Sequence, residues 1–474
     1  MRRLLLVLAL LAPATLPGAA AASPCTLGLD LAPHRDRAPS PCSHYDLGGG
    51  RTLGPIAPGP GAGATLIASD GGGQFAARVS GAGVVARVRL PNGLGAVRGL
   101  ARAPDGAHWF TAGNAVGRIG LDGAVALYQV PSAAAGGIAP GPDGAMWFTA
   151  SRAIGRIDSG GATRMFPVPV DPAGGIATVG GELWFSAGSH VGRLSPAGAL
   201  RLFALPGDLR ASGAVTAAGD GRLWFVDGRH HRLGRIGEAG RAAGFGLPGR
   251  PFGIVRGPDP ATVWTTLRRS NGQNWVARMT IRGLSSQRPR GLRCDAFVRA
   301  ACWFDYPQVP LGQLLLLNAL GPPAGVTVGA DSRIWFAESG RAGAVIPFRG
   351  VRVCARAPST SDLIGIACTH PIVPDFRLTH SGAPYVELTC PRYTLRYCAG
   401  TVDLHVAGGG EFLGRGHYVL HANDNPRVRV LLSSHGQSLV RRRGRLLVEA
   451  TIDAHDAAGL RRVIHARIAL VPPR

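Results

Sequence analysis

The chain has 474 residues, and its 51 basic and 28 acidic side chains give a formal net charge of +23. Seventy glycines and 37 prolines exclude an all-helical protein, because an interior glycine costs a helix about 1 kcal/mol and a proline about 3 kcal/mol. Hydrophobic residues make up 46% of the chain, which suffices for a packed core and excludes wholesale disorder.

Residues 1–22 have the pattern of a secretory signal peptide. Arg2 and Arg3 precede an apolar run over residues 4–12, and small residues at 20–22 suit a cleavage site. This run is too short for a bilayer span, which needs about 20 apolar residues. The sequence therefore predicts a secreted protein, extracellular or in the cell envelope, without a membrane span.

Eight cysteines fall into four pairs that are close in sequence. In an exported chain they are expected to form disulfides rather than a zinc site, whose ligand gaps are shorter. Neighbour pairing is one of 105 possible connectivities, so the alternatives stay open. The predicted pairs, the first of which closes an N-terminal segment over residues 23–48, are Cys25 with Cys42, Cys294 with Cys302, Cys354 with Cys368, and Cys390 with Cys398.

A sequence unit of about 38 to 40 residues recurs through the middle of the chain. Each unit contains a Gly-Ile step, an Asp-Gly turn, a Trp-Phe strand, an Ile-Gly-Arg-Ile strand and a last apolar strand. Four short strands per unit are typical of one β-propeller blade. The sequence thus predicts an all-β fold with a propeller over residues 49–350. The repeat anchors indicate seven blades, or eight if the units around Thr65 and Trp303 are both complete blades.

After residue 350 the repeat ends and alternating strands follow. This pattern predicts a small C-terminal β-sandwich over residues 351–474. The densest basic run, Arg441, Arg442, Arg443 and Arg445, is interpreted as the cap of a solvated hairpin. All 51 basic residues are arginines and no basic stripe with interleaved aromatics occurs, so no nucleic-acid partner is expected.

The unit Gly-Pro-Asp-Gly-x-x-Trp-Phe-Thr followed by Ile-Gly-Arg-Ile, best seen over residues 141–157, resembles the virginiamycin B lyase (streptogramin lyase) family. The resemblance covers roughly residues 50–350 and implies a seven-bladed propeller. It also implies an enzyme that opens the lactone ring of a cyclic depsipeptide by elimination. In such an enzyme a histidine base and a Mg²⁺ ion held by glutamates act at the central funnel.

Few family site residues carry over to this chain. No histidine stands in the slot before each Gly-Ile, where the chain has Arg98, Gly136, Gly174, Ser212, Phe252, Arg290 and Ala324. Two places after Trp-Phe, only Glu338 matches the family glutamate, and Asp227 is a shorter substitute. The candidate metal ligands are therefore Glu338 and Asp227, and the candidate bases are His190, His230 and His231.

Two functions follow as hypotheses, and a structural cell-surface protein stays open as a third. The first is a degenerate, ligand-binding propeller without a cofactor, which would bind a small molecule or a cell-envelope polymer at a funnel lined by Arg98, Ser212, Phe252 and Arg290. Guanidinium groups at a narrow mouth would favour an anionic ligand. The second is a Mg²⁺-dependent carbon–oxygen lyase that acts on a streptogramin B-type lactone. The chain is expected to be a monomer.

Overall fold

The computed structural model describes residues 23–24, 42–47, 51–80, 83–281, 290–294, 301–305, 313–319, 323–330, 332–338, 341–345, 352–356, 366–367, 375–389, 397–408, 410–421, 427–456 and 461–473. The predicted signal peptide lies outside them. Among the described residues, no helix has the length and apolar character needed to cross a bilayer.

The first part of the chain folds into seven antiparallel sheets, each one blade of a propeller. Two short strands precede the blades: β1 (Ser23–Pro24) and β2 (Cys42–Asp46). Blade 1 contains β3 (Arg51–Pro58), β4 (Gly63–Asp70), β5 (Gly73–Ser80) and β6 (Gly83–Arg89). Blade 2 contains β7 (Val97–Arg102), β8 (His108–Ala112), β9 (Ala115–Ile119) and β10 (Val125–Gln129). Blade 3 contains β11 (Ala134–Pro140), β12 (Met146–Ala150), β13 (Ala153–Ile157) and β14 (Thr163–Pro167).

Blades 4 and 5 have the same four-stranded form, and blades 6 and 7 differ from it. Blades 4 and 5 contain β15 (Ile176–Val179), β16 (Glu182–Ala187), β17 (His190–Leu194), β18 (Leu200–Ala204); and β19 (Val215–Ala217), β20 (Leu223–Asp227), β21 (Arg232–Ile236), β22 (Ala242–Gly246). Blade 6 contains β23 (Arg250–Arg256), β24 (Thr262–Arg268), β25 (Asn274–Thr280), β26 (Arg290–Cys294), β27 (Ala301–Asp305) and β28 (Gln313–Ala319). Blade 7 contains β29 (Pro323–Val328), β30 (Ile334–Glu338) and β31 (Arg341–Val345).

The sheets close into a ring of seven. The first strand of each blade contacts the first strand of the next, and β29 of blade 7 contacts β3 of blade 1. The unit around Trp303 forms no blade, because β26 and β27 extend the sheet of blade 6 beyond β28. Closure confirms the predicted seven-bladed propeller and leaves only short sheet edges exposed.

Blades 2 to 5 and blade 7 are built around the Trp-Phe pair of their second strand, which the second strands of blades 1 and 6 lack. The tryptophan of Trp-Phe is buried and stacks on a ring of the outermost strand, as Trp147 does on Phe166 with centroids 5.1 Å apart. The phenylalanine lies over the glycine of the third strand, where a Cβ at Gly155 would come within 2.1 Å of the ring of Phe148. Glycine is therefore required at this step of the repeat.

The N-terminal strand β2 completes the last blade. It pairs antiparallel with β31, so the sheet of blade 7 runs β29, β30, β31, β2 and β1. Residues 42–46, predicted to lie in a separate N-terminal segment, thus form a blade strand. The sequence repeat could not indicate this, because β2 lies at the opposite end of the propeller sequence from its partner.

The C-terminal region consists of two sheets and one helix. The four-stranded sheet has the order β33, β32, β35, β38, and the six-stranded sheet has the order β34, β41, β40, β36, β37, β39. These strands and the helix are β32 (Arg352–Arg356), β33 (Ile366–Ala367), β34 (Asp375–Arg377), β35 (Tyr385–Thr389), β36 (Tyr397–Val406), β37 (Phe412–His421), β38 (Arg427–Arg429), β39 (Leu431–Leu432), α1 (Ser434–Arg443), β40 (Leu446–Asp456) and β41 (Arg461–Val471).

Both C-terminal sheets contribute to one hydrophobic core, as the predicted sandwich requires. Val386 and Val428 of the smaller sheet pack in the same cluster as Val402 and Ile452 of the larger one.

The basic run Arg441–Arg443 was expected on a hairpin and instead forms the last turn of α1. Cations are favourable there because a helix C-terminus carries partial negative charge. Ser433 caps the other end by accepting the amide hydrogen of Gly436 at 3.0 Å. Arg445 follows the helix in the short connection to β40.

The cysteine pairing stays a prediction, with backbone support for part of it. Cys398 is disulfide-bonded, and the side chains of the other seven cysteines lie outside the described residues. Cys294 on β26 stands directly opposite Cys302 on β27. Opposed residues of antiparallel strands have Cα atoms about 4.5 to 5.5 Å apart, within the range that a disulfide spans.

Candidate functional site

The slot residues of the seven inner strands form a ring around the centre of the propeller. Aligned by strand register, they are Gly54, Arg98, Gly136, Gly174, Gly213, Phe252 and Ala324. Neighbouring slots are in contact range: a Cβ at Gly136 would lie 3.4 Å from the Cβ of Arg98, and one at Gly54 would lie 3.5 Å from that of Ala324. We call the end where the inner strands begin the mouth end.

In blades 2, 3, 4, 6 and 7 the residue after the slot is glycine, which allows neighbouring inner strands to approach closely. A Cβ at Gly137 would lie 2.2 Å from the carbonyl oxygen of Gly174 in the next blade, and one at Gly99 only 1.8 Å from that of Gly136. The Gly of the Gly-Ile step is thus a packing requirement of the ring rather than a ligand-binding feature.

A buried hydroxyl after Trp-Phe links adjacent blades at the same level. Thr111 Oγ1 donates to the carbonyl oxygen of Gly136 at 3.0 Å, and Ser186 Oγ donates to that of Gly213 at 2.9 Å. Ser186 Oγ also accepts the amide hydrogen of Gly175 in its own blade, at 2.9 Å. These bonds fix the position of the slot backbone, and so they fix the shape of the ring.

The structure places two of the four predicted funnel residues in the ring. Arg98 is exposed at the slot of blade 2, and Phe252 is half-buried at the slot of blade 6. Ser212 precedes the true slot, Gly213, and its Oγ accepts the amide hydrogen of Gly228 at 3.2 Å. The prediction for Arg290 is wrong, because β26 is the outermost strand of the blade 6 sheet, at the opposite edge from the inner strand β23.

The ring is open except for two side chains. Four of the seven slots are glycine and one is alanine, so Arg98 and Phe252 are the large groups that project from it. Sequence reasoning missed Arg250, whose guanidinium lies over the ring of Phe252 at 5.3 Å from the centroid. Arg250 and Phe252 are two residues apart on an extended strand, so their side chains lie on the same face. This spacing is the sequence feature that indicates their contact.

Asp227 of blade 5 is buried and ends strand β20 at the mouth end. His230 Nδ1 lies 3.0 Å from both carboxylate oxygens, and Arg232 Nη2 donates to Oδ2 at 3.1 Å. The amide hydrogens of Arg210 and His230 also donate to the carboxylate, each at 3.2 Å. Asp227 therefore organises the turn between the second and third strands of its blade.

Asp208 joins this cluster from the connection between blades 4 and 5. Its Oδ1 lies 2.9 Å from Arg232 Nη2, and its Oδ2 lies 3.9 Å from His230 Nε2. The hydrogen bond from Arg232 holds the pKa of Asp208 below its ordinary value. Arg232 thus bridges two carboxylates, which sequence spacing did not indicate.

The remaining predicted site residues lie apart from this cluster. His190 begins β17 in blade 4, with Nδ1 3.0 Å from Ser189 Oγ. His231 is exposed at a positive φ of 51° in the turn after Asp227, and its carbonyl oxygen accepts the amide hydrogen of Leu247 at 2.7 Å. Glu338 is buried at the end of β30, and blade 6 separates its blade from that of Asp227.

These residues do not fit the magnesium ion that the lyase resemblance implies. The carboxylate of Asp227 already accepts a guanidinium, two amide hydrogens and an imidazole contact, so a cation there would compete with Arg232. Mg²⁺ also requires several oxygen ligands in near-octahedral geometry. In the described part of the chain, no three His, Cys, Asp or Glu residues are grouped so that they could hold a metal.

Comparison with known proteins agrees with the propeller geometry. Residues 54–279, which lie within blades 1 to 6, match the sequence model of the Virginiamycin B lyase family. No curated protein matches the chain significantly.

Among solved structures, a streptogramin B lyase is 21% identical with a TM-score of 0.51, over 64% of this chain and 97% of the other. A catalytically inactive histidine-to-alanine variant of virginiamycin B lyase from Staphylococcus aureus, with quinupristin, is 24% identical with a TM-score of 0.52, over 64% of this chain and 99% of the other. The propeller therefore has a virginiamycin B lyase-like fold.

Proposed function

We propose that the propeller is a non-catalytic member of this fold that binds a small organic anion at its mouth end. The observation that carries the proposal is the composition of the ring. Its two large side chains are a guanidinium, Arg98, and an aromatic ring, Phe252, and a second guanidinium, Arg250, lies over that ring.

The chemistry of these three groups favours a flat anion. Within the described residues, no carboxylate pairs with Arg98 or Arg250, so both cations are available to a ligand. A guanidinium binds carboxylate, sulfate or phosphate oxygens through two parallel hydrogen bonds. Phe252 offers an apolar surface beside Arg250. An aromatic or otherwise flat molecule with one anionic group matches this combination, whether free or as part of a cell-envelope polymer.

Three features of the site support binding rather than turnover. The ring contains no histidine, and the position two residues after Trp-Phe is alanine in blades 2 to 4. The carboxylate of Asp227 is already paired with Arg232. Elimination needs a general base within hydrogen-bond reach of the substrate. We also propose that the chain is exported, is monomeric, forms the four sequence-local disulfides, and uses its C-terminal domain for targeting or spacing.

One observation favours a second candidate function, lactone opening by elimination. A buried carboxylate at His230 Nδ1 orients an imidazole so that Nε2 is left as a base, as in other Asp–His pairs. A structural relative is described with quinupristin, a ligand that this candidate would share. The Mg²⁺ form of this activity is disfavoured by Arg232.

Calorimetric titration with benzoate tests the binding proposal, with neutral benzamide as the shape-matched control. We expect the wild-type chain to bind benzoate and not benzamide. Arg98→Ala should weaken benzoate binding about tenfold or more, as expected for a lost charge-assisted hydrogen bond. Arg241→Ala, which removes an exposed arginine from a turn at the other end of blade 5, should leave it unchanged. Equal affinity for both probes, or no benzoate binding, would overturn the proposal.

The second candidate is tested by incubating the chain with quinupristin and Mg²⁺ and separating the linear product by chromatography. We expect no conversion. Conversion that is lost in His230→Ala but retained in His190→Ala would instead support the elimination candidate.

A further inference from the structure

A cavity lies between blades 5 and 6, at the end of the propeller opposite the mouth. Its volume is about 250 Å³. Blade 5 contributes Asp220, Arg222 and Arg235, and blade 6 contributes the apolar wall of Pro260, Ala261 and Ile281. The two blades are in close contact here, because a Cβ at Gly219 would lie 2.1 Å from the carbonyl oxygen of Pro260.

The cavity exists where blade 5 departs from the repeat. Two positions before the tryptophan, blades 2 and 3 have alanine and blade 4 has Glu182, which pairs with Arg193 at 3.1 Å. Blade 5 has Arg222 at this position. Opposite Trp224 on the third strand, blade 5 also has Arg235. Among the seven blades as described, it alone has arginine at both positions.

Arg235 is held in place by aromatic contacts rather than by a tight ion pair. Its guanidinium lies 5.6 Å from the ring centroid of Trp224 and 5.2 Å from that of Phe245. It is 3.9 Å from Asp220, whereas the equivalent pair Arg156–Asp143 of blade 3 is 2.5 Å apart. Stacking fixes the direction of the guanidinium without neutralising it.

Asp220 is engaged elsewhere and cannot balance both arginines. Its carboxylate accepts the indole hydrogen of Trp224 at 3.2 Å and the amide hydrogen of Arg222 at 3.3 Å. The cavity therefore has two cations and one anion. Burial and the nearby charge of Arg222 lower the pKa of Arg235, and Asp220 offsets this only in part.

We propose that Arg222 and Arg235 bind an oxyanion in this cavity, independently of the mouth. The ligand class is a phosphate, sulfate or carboxylate group, either as a free ion or as the end of a small molecule. The volume suits such a group, because pockets for larger organic ligands measure about 300 to 1,000 Å³. The planar guanidinium of Arg235, in contact with two aromatic rings, provides the fork that these anions require.

The test is calorimetric titration of the full chain at low ionic strength with inorganic phosphate, inorganic sulfate, acetate and methyl phosphate. Comparison of inorganic with methyl phosphate distinguishes a free ion from a monoester. The key variant is Arg222→Glu, because blade 4 has glutamate at the same repeat position and folds with it. Arg201→Ala, on the outer strand of blade 4, is the control for general charge, and circular dichroism checks the fold.

We expect at least one anion to bind the wild type, and its affinity to fall about 10- to 100-fold in Arg222→Glu. Arg201→Ala should bind as the wild type does, and Arg222→Glu should cause the same loss in an Arg98→Ala background, where the mouth end no longer contributes. The proposal is overturned if no anion binds, or if binding in the Arg98→Ala background survives Arg222→Glu. Loss of binding in Arg98→Ala instead would assign the anion to the mouth end, and would leave the proposed funnel function standing without this site.

Discussion

Tyr45 stacks on Trp335 with ring centroids 5.3 Å apart and an angle of 30° between the planes. The same contact joins Trp109 to Tyr128, and Trp184 to Phe203, within single blades. Tyr45 comes from the N-terminal strand β2, so the start of the chain supplies the outermost aromatic of the last blade. Ring closure therefore depends on a side chain that precedes the whole repeat.

We expect Tyr45→Ala to destabilise the propeller by about 3 kcal/mol, because it removes a buried aromatic ring and leaves a cavity beside Trp335. The measurement is urea unfolding followed by tryptophan fluorescence. All eight tryptophans lie between residues 109 and 335, so this signal reports the propeller. Tyr385→Ala, at an exposed C-terminal position, should leave the transition in place. Equal midpoints for Tyr45→Ala and the wild type would contradict the closure role.

Thr111→Val tests the hydroxyl link between blades 2 and 3. Valine preserves the shape and stands naturally at the equivalent position of blade 5 as Val226. It leaves the buried carbonyl oxygen of Gly136 without its donor, which costs about 1 to 3 kcal/mol. The same urea experiment measures it. Val226→Ala, which removes no hydrogen bond, separates loss of the link from loss of packing.

Gly137, which follows a slot, and the slot residue Gly213 should respond differently to substitution by alanine. Gly137→Ala would place a Cβ 2.2 Å from the carbonyl oxygen of Gly174, so we expect a destabilisation of about 2 kcal/mol or more from the forced strand shift. Gly213→Ala meets no atom within 4 Å and should be tolerated. Thermal unfolding compares them. Equal behaviour of the two variants would disprove the close approach of inner strands.

His108 should make stability dependent on pH. It is buried, its Nε2 lies 2.9 Å from the Pro58 carbonyl oxygen, and burial lowers its pKa to about 4. The unfolded chain binds this proton near pH 6.5, before the folded chain does, so stability is lost as pH falls from about 6.5 to about 4. The full effect is about 3 kcal/mol.

His108→Met removes this titration and is suited to the site, because Met146 occupies the equivalent position of blade 3. Urea midpoints at pH 7 and pH 4.5 should lie closer together for the variant than for the wild type. If the variant shows the same difference between the two pH values, then other groups cause the dependence.

Added Mg²⁺ should leave the thermal midpoint of the propeller unchanged, since Arg232 already neutralises Asp227. Removal of divalent ions with a chelator should also have no effect. A rise in midpoint that saturates with Mg²⁺ and disappears in Asp227→Asn would show that the carboxylate prefers the metal to its arginine.

The sequence predicted the fold well because the repeat is local. Trp-Phe, Gly-Arg and Asp-Gly each make contacts within one blade, as the stacking of Trp147 on Phe166 illustrates. The number of blades follows from the strand order. The unit around Trp303 has the Trp-Phe pair of a blade, but its strands extend the edge of the blade 6 sheet.

The site was harder to predict because its members come from different blades. Arg98 and Phe252 were recognised from their repeat positions. Blade 5 has Ala214 where blades 2 to 4 have glycine after the slot, so the glycine pattern indicates Ser212 in place of the true slot residue, Gly213. Asp208 and Arg232 are separated by 24 positions and meet through the fold, and no motif marks such a pair.

The pairing of β2 with β31 has a consequence for biosynthesis. During synthesis β2 has no partner strand until β31 has been made. The pairing of these two strands then closes the longest loop in the propeller. Contacts between residues that are distant in sequence form slowly, because the chain loses loop-closure entropy before the contact stabilises it. Until the ring closes, the incomplete propeller has two unpaired strand edges. A destabilising substitution near Tyr45 would therefore lengthen the time during which the protein can aggregate.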